Sequence, residues 1–164
     1  AALVAGGGKS CTYGCLGYGD CVRACPFDAI HLNENNLPVV DEEKCTACGN
    51  CVKECPKHLY SIHPVSHHLW VACSTHMRGK DAKVACTVAC IGCGMCAKSQ
   101  PDVITMNANL PVIDYEKNDQ ASEEAIQRCP TGAIVWLEPG GTIVYGAKAA
   151  EARAKLKESE TVTP

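Results

Sequence analysis

Four closely spaced cysteines and a proline set the chemistry of one stretch of this chain. They are Cys45, Cys48, Cys51, Cys55 and Pro56, in the spacing C-x2-C-x2-C-x3-C-P. This spacing is typical of bacterial iron–sulfur sites, in which the first three cysteines bind one cluster and the fourth binds another. Zinc sites more often have two separated C-x2-C pairs, and disulfide frameworks space their cysteines so that each bridge closes a loop. The run therefore favours iron–sulfur clusters.

Two further runs show related spacings. The first run consists of Cys11, Cys15, Cys21, Cys25 and Pro26, and the third consists of Cys86, Cys90, Cys93, Cys96, Gln100 and Pro101. Glycines in the loop of the first run allow its backbone to wrap closely around a cluster. The third run keeps the proline but has glutamine in place of the last cysteine. Two neighbouring complete runs are what a two-cluster domain requires.

An internal repeat explains the missing cysteine. Residues 37–44 match residues 110–117, and the Cys55-Pro56 pair reappears as Cys129-Pro130. By this repeat the second half lacks cysteines at four positions, which are occupied by Gln100, Asn118, Ala121 and Glu124. In a crossed two-cluster module these four would all bind the same cluster. The sequence therefore predicts two tandem modules, the second degenerate with one cluster lost.

We expect three [4Fe–4S] clusters, each bound by four cysteines. The ligand sets are Cys11, Cys15, Cys21 and Cys55 for cluster one, Cys45, Cys48, Cys51 and Cys25 for cluster two, and Cys90, Cys93, Cys96 and Cys129 for cluster three. Of the 14 cysteines, Cys73 and Cys86 remain unassigned. They are interpreted as buried thiols beside a cluster or as a pair close in space, and a fourth metal site is less favoured.

The predicted fold class is α+β, with two tandem bacterial two-cluster ferredoxin-like modules. The expected domains are residues 1–68 with two clusters, 69–141 with one cluster, and 142–164 with a C-terminal strand or helix and a frayed tail. Short helices should follow the third cysteine of each run, and helices are also expected at 122–128, capped by Ser122 or Asp119, and at 146–158. Residues 79–81 are predicted to form a loop. Strands are predicted at 29–32, 37–40, 59–63, 69–73, 103–106, 110–113 and 133–137.

Composition excludes several classes of function. The net charge is −3, whereas a general nucleic-acid binder is clearly basic. No apolar stretch approaches the roughly 18 residues of a membrane span. The sequence offers no nucleophile with a base and no carboxylate pair with an acid–base role, so no catalytic residues are predicted.

The loop Tyr13–Cys21, with the sequence YGCLGYGDC, is the most specific motif of the chain. With residues 37–51 and with Cys90-Ile-Gly-Cys-Gly-Met-Cys96, it resembles the B component of the Rnf electron transport complex and its Rsx relatives. The resemblance covers nearly all of residues 3–137 and corresponds to the ferredoxin-like part of that component. Members of the family also carry an N-terminal membrane helix and another cysteine-rich segment, which this sequence lacks.

The resemblance implies an electron-relay subunit without a catalytic substrate site of its own. Such a protein takes electrons from soluble reduced ferredoxin and passes them into a membrane-bound, ion-translocating ferredoxin:NAD oxidoreductase complex. The implied partners are ferredoxin and the other subunits of the complex, and the implied location is the cytoplasmic face of the bacterial inner membrane. Contact with the membrane would be made only through the N-terminal segment or the partner subunits.

Three alternatives stay open at this point. The chain could be a free polyferredoxin carrier or a reductase component that keeps a redox sensor reduced. It could also be an interaction module stabilised by zinc, in which case the protein would be colourless. The motifs alone do not separate these roles from an electron relay in a complex.

Overall fold

The computed structural model describes residues 10–160, with the side chains of the last helix described only as far as residue 154. This part of the chain forms two compact units. The first runs to Pro64 and includes Pro139–Gly141, and the second comprises Val65–Glu138 and the residues from Thr142 onward. The predicted frayed tail at 161–164 lies outside the described residues. Within residues 10–160, no helix has the length and apolar character needed to cross a bilayer.

The first unit contains two short helices and a two-stranded antiparallel sheet. Its elements in chain order are α1 (Asp20–Arg23), β1 (Ile30–Leu32), β2 (Pro38–Val40) and α2 (Asn50–Glu54). Asn33 holds the turn between the strands, because its side-chain oxygen accepts the backbone N–H groups of residues 35 and 37, both at 3.0 Å. Such Asx turns are a common use of asparagine between paired strands.

The second unit is larger and mixes helices with two antiparallel sheets. The elements are β3 (Leu69–Val71), α3 (Gly79–Ala85), α4 (Met95–Ser99), β4 (Ile104–Asn107), β5 (Leu110–Ile113), a 3-10 helix (Tyr115–Gln120), α5 (Glu124–Gln127), β6 (Ile134–Leu137), β7 (Ile143–Val144) and α6 (Ala147–Glu160). β4 and β5 form a two-stranded sheet, and the other sheet has the order β3-β6-β7. The mixture of helix and strand agrees with the predicted α+β class.

The apolar cores of the two units differ. In the second unit Leu69, Ile104, Ile126 and Ile134 are almost completely buried and pack together with three cysteines. In the first unit the largest buried side chains are those of Leu16 and Ile30. Its interior consists largely of cavities lined by cysteines, so little of its stability can come from aliphatic packing.

Two predictions of local structure are wrong. Residues 59–63 form no strand, because apolar side chains such as Ile62 face a cysteine-lined cavity instead of extending a sheet. The predicted loop at 79–81 is the start of α3, which includes two lysines and two alanines with good helix propensity. Gly79 begins this helix with φ 54°, a conformation that glycine adopts without a steric penalty.

The helix predicted at 122–128 is shorter than expected and is not capped as expected. α5 begins at Glu124, and the residue before it makes no side-chain capping hydrogen bond. Ser122 is instead hydrogen-bonded to the side-chain amide of Gln100, and Asp119 lies inside the 3-10 helix. That 3-10 helix is capped by Asp114, whose side chain accepts the backbone N–H of Glu116.

Candidate metal centres

The first cavity lies in the first unit and is lined by Cys25, Cys45, Cys48 and Cys51. Its volume is about 170 Å³. Cys25 follows α1, whereas the other three lie on the loop into α2 and on the first turn of that helix. The structure thus brings together the four cysteines predicted for cluster two, from two separate runs.

Local backbone geometry turns these sulfurs towards the cavity. Gly49 adopts φ 79° immediately before α2, and Ala47 also has a positive φ, of 55°. The backbone N–H of Ala29 donates to Cys25 Sγ at 3.4 Å. Burial raises the pKa of the Cys51 thiol, and the nearby Cys45 and Cys48 raise it further against opposing backbone donors. Metal binding by the Cys51 thiol therefore releases a proton.

The second cavity, also in the first unit, has a volume of about 260 Å³ and is lined by Cys15, Cys21 and Cys55. Backbone N–H groups again point at sulfur: that of Gly17 donates to Cys15 Sγ at 3.3 Å, and that of Leu59 donates to Cys55 Sγ at 3.4 Å. Donors of this kind favour a negatively charged sulfur. Among the described residues Cys11, the fourth ligand predicted for cluster one, is not part of the cavity wall.

The third cavity lies in the second unit and is lined by Cys90, Cys93, Cys96 and Cys129. It is smaller, at about 20 Å³. Cys93 is exposed and the other three are buried. Burial raises the pKa of Cys90 and raises that of Cys96 to about 11. These are the four cysteines predicted for cluster three.

The thiols surround space and do not converge on one point. Among the side chains that the structure describes, up to residue 154, no three of His, Cys, Asp or Glu are grouped closely enough to hold a single metal ion. A tetrahedral zinc site needs all four sulfurs about 2.3 Å from one centre. A cluster with four cysteine ligands takes one sulfur at each iron and so needs a wider frame. The donor sets are therefore chemically suited to iron–sulfur clusters.

The four positions that lack cysteine in the second unit have other roles. Asn118 is buried and hydrogen-bonds to the backbone of His68 and Leu69. Ala121 packs against the apolar core. Gln100 bonds to Ser122, and Glu124 is exposed on α5.

The two unassigned cysteines are half-buried free thiols. Cys73 packs against the core of the second unit, and its Sγ accepts the backbone N–H of Cys90 at 3.4 Å. Cys86 lies at the C-terminal end of α3. Cys73 thus contacts Cys90, which lines the third cavity, without lining that cavity itself.

Sequence reasoning missed Tyr60, whose side chain lines both cavities of the first unit. A signal was present in the sequence, because a large side chain stands at the same spacing after three Cys-Pro pairs. These side chains are Ile30 after Cys25, Tyr60 after Cys55, and Ile134 after Cys129. Backbone donors to sulfur are expected from the glycine-containing loop of the first run, where the N–H of Gly17 is one. Those of Ala29 and Leu59 were missed, because they depend on dihedral angles that residue spacing does not specify.

Two protein families match the two halves of the chain. Residues 10–59 match a family described as a 4Fe-4S dicluster domain. Residues 87–136 match one described as the 4Fe-4S single cluster domain of ferredoxin I. Both halves are therefore ferredoxin-like domains of the 4Fe–4S type.

Three curated relatives, each the B component of its complex, align over most of the chain. That of the Na(+)-translocating ferredoxin:NAD(+) oxidoreductase complex of Acetobacterium woodii is 44% identical over 92% of this chain and 44% of its own length. The B component of the proton-translocating ferredoxin:NAD(+) oxidoreductase complex of Clostridium ljungdahlii is 45% identical over 89% of this chain and 52% of its own length. The B component of the ion-translocating oxidoreductase complex of Methanosarcina acetivorans is 42% identical over 77% of this chain and 48% of its own length. The chain spans about half the length of these relatives, and it is homologous to that half of the B component of ion-translocating oxidoreductase complexes, which confirms the resemblance predicted from its motifs.

Proposed function

We propose that the chain is an electron relay that holds three [4Fe–4S] clusters and works within an ion-translocating ferredoxin:NAD oxidoreductase complex. Electrons would enter from a soluble reduced ferredoxin and leave to another subunit of the complex. The observation that carries the proposal is the lining of the three cavities, each of which draws cysteines from two separate segments of the chain. The proposed ligands are Cys11, Cys15, Cys21 and Cys55; Cys25, Cys45, Cys48 and Cys51; and Cys90, Cys93, Cys96 and Cys129.

The inclusion of Cys11 in the first set is supported by a contact between its segment and that of Cys55. Lys57 Nζ donates to the backbone carbonyl of Thr12 at 2.7 Å. In addition, the Cys11 sulfur lies 3.6 Å from where a Cβ would stand at Gly14, in the same loop as Cys15. The segments that carry Cys11 and Cys55 are therefore in contact, which supports a shared site.

A count of three clusters is supported by the two halves separately. The first half matches a dicluster domain and the second a single cluster domain. In the second half the remaining cysteine positions are taken by residues with hydrogen-bonding or packing roles, such as Asn118 and Ala121. This favours a degenerate second module with one cluster.

A cluster of this type supplies one-electron storage, and the residues of the chain determine how it is held. Thiolates of the three sets bind the irons. Backbone N–H groups of Ala29, Gly17 and Leu59 donate to ligand sulfurs and stabilise the added negative charge. The buried positions of Cys90, Cys96 and Cys129 limit access of water, whereas the exposed Cys45 and Cys48 leave the first cavity open to an electron donor.

Membership of a larger assembly is supported by the relatives, which are named as subunits of ion-translocating complexes. We propose that the chain works at the cytoplasmic face of the membrane and touches the bilayer only through other parts of the complex. It contributes no substrate site of its own, and its role is conduction between partners.

Iron, sulfide and zinc content of anaerobically purified protein tests the proposal. Three clusters require about 12 iron and 12 sulfide per chain, by the count of four cysteines for each cluster. To test whether soluble ferredoxin is the electron donor, reduced ferredoxin is added to this protein and the reduction of its clusters is measured by visible absorbance. Stoichiometric zinc without iron after anaerobic cluster reconstitution would overturn the relay and leave a structural metal module.

A further inference from the structure

The hydroxyl of Tyr60 is buried between the two cavities of the first unit. The side chain lines both of them. Within the described residues, its oxygen is shielded from solvent and makes no hydrogen bond of ordinary geometry. A buried polar group without a partner is rare in folded proteins, since its lost hydration is not compensated. The hydroxyl therefore needs an acceptor in the functional form of the protein.

The groups around this hydroxyl are thiols. Burial raises the pKa of Tyr60, and the next contribution comes from the adjacent Cys21 thiol, followed by Cys51 and Cys15. Cys15 and Cys21 belong to one proposed ligand set, and Cys51 belongs to the other. Cys15 and Cys21 line the second cavity together with Tyr60, and Cys51 lines the first.

Packing alone does not require a hydroxyl at this position. Three segments of the chain share the pattern C-P-x3 followed by a large side chain, which is Ile30 after Cys25, Tyr60 after Cys55 and Ile134 after Cys129. Ile30 lines the first cavity, Ile134 lines the third, and both are buried. Isoleucine thus fills the equivalent space twice without a polar group.

We propose that in the cluster-loaded protein Tyr60 Oη donates a hydrogen bond to Cys21 Sγ and raises the reduction potential of the cluster bound by that cysteine. The inference rests on the proposed function, which assigns Cys21 to a cluster. Reduction adds one electron, and therefore one negative charge, to the cluster and its thiolates. A hydrogen-bond donor stabilises the reduced form more than the oxidised form. Tyr60 acts through Cys21 and is a positioning residue.

The test compares the full chain with its Tyr60→Phe variant, both loaded with iron and sulfide anaerobically. Redox titration followed by electron paramagnetic resonance measures the potential of each cluster. We expect unchanged iron content and one cluster whose reduction equilibrium shifts about five- to tenfold towards the oxidised form, which is roughly 40 to 60 mV for a one-electron couple. The other clusters should change much less.

Tyr18→Phe is the matched control. Tyr18 lines the same second cavity as Tyr60, but the residue is 48% exposed, and its hydroxyl is not among the buried groups that lack a hydrogen bond. Removing that hydroxyl should leave all potentials unchanged. If the reduction potential shifted equally in both variants, the inference would be overturned. The shift would then follow from the loss of any hydroxyl near the cavity and would not be specific to Tyr60.

A second measurement keeps the inference testable if Tyr60→Phe fails to load iron. In the unmodified reduced protein, electron–nuclear double resonance after exchange into deuterium oxide should detect an exchangeable proton coupled to the cluster of Cys21. Its absence, or unchanged potentials in iron-loaded Tyr60→Phe protein, would overturn the inference alone. Unmodified protein that binds no iron would overturn the proposed function and this inference with it.

Discussion

The side-chain oxygen of Asn118 accepts the backbone N–H of His68 at 2.9 Å, immediately before strand β3 begins. The same side chain bonds to both backbone groups of Leu69, accepting its N–H at 3.4 Å and donating to its carbonyl at 3.0 Å. By the internal repeat, Asn118 corresponds to Cys45, which is a proposed cluster ligand in the first unit. A position that is proposed to bind metal in one unit thus secures a strand in the other.

We expect Asn118→Ala to lower the free energy of unfolding of the second unit by about 1–3 kcal/mol, the range for leaving buried polar groups unsatisfied. The orphaned groups are the backbone N–H of His68 and the carbonyl of Leu69. Urea unfolding of the cluster-loaded protein measures the effect. Asp119→Ala changes the exposed neighbour on the same 3-10 helix and should alter stability by less than about 0.5 kcal/mol; equal effects of the two variants would contradict the role of Asn118.

Cys129→Ser should remove one cluster and leave two. Cys129 is the only member of the third ligand set from outside the run Cys90–Cys96, and a serine hydroxyl is a much poorer ligand for iron than a thiolate. Anaerobic iron analysis should fall from about 12 to about 8 per chain, by the four irons of each cluster. Cys86→Ser is the control and should keep all of the iron, because Cys86 lines none of the three cavities described above. Loss of iron from both variants would make Cys86 a ligand as well.

The cysteines that line the three cavities were predictable from the sequence because metal chemistry restricts ligand spacing, although the predicted Cys11 does not line the second cavity. Cys25 and Cys45, twenty positions apart, line one cavity as the crossed pattern requires. The hairpin strands were predictable for a similar reason, since Asn33 and its neighbours are strong turn formers. Local chemistry decides these features, and a single sequence displays it directly.

Other features depend on tertiary contacts and were missed. Residues 59–63 have the composition of a strand, but Tyr60 and Ile62 turn to the cavities. Ser122 is a good capping residue in isolation, yet its hydroxyl bonds to Gln100 instead. In each case a distant segment of the chain offers a better partner than the local one, and no pattern in the sequence specifies that partner.

Gly92→Ala should destabilise the second unit by about 2–4 kcal/mol, combining the penalty for a left-handed conformation with that for overpacking. Gly92 has φ 66°, and an added Cβ would lie 3.0 Å from the Cβ of Asn109 and 3.1 Å from its carbonyl oxygen. Because Gly92 lies between Cys90 and Cys93, we also expect weaker iron binding at the third site. Urea unfolding and iron analysis measure the two effects.

Gly79→Ala provides the matched comparison for that change. Gly79 also has a positive φ, of 54°, but a Cβ there would meet nothing within 4 Å. This variant should lose only about 1–2 kcal/mol of stability, the penalty for a left-handed residue, and should keep its iron. If both variants lost stability equally, close packing around Gly92 would have no measurable effect.

Cys73→Ala tests whether the unassigned thiol beside the third site supports that site or binds metal. Cys73 Sγ accepts the backbone N–H of the ligand Cys90 at 3.4 Å, and alanine offers no acceptor. We expect iron content to stay at the unmodified value, while the free energy of unfolding falls by about 1–3 kcal/mol because that N–H loses its partner. Cys73→Ser, which restores an acceptor of similar size, should recover part of the loss. A fall of about four irons per chain in both variants would instead identify Cys73 as a cluster ligand, by the content of one [4Fe–4S] cluster.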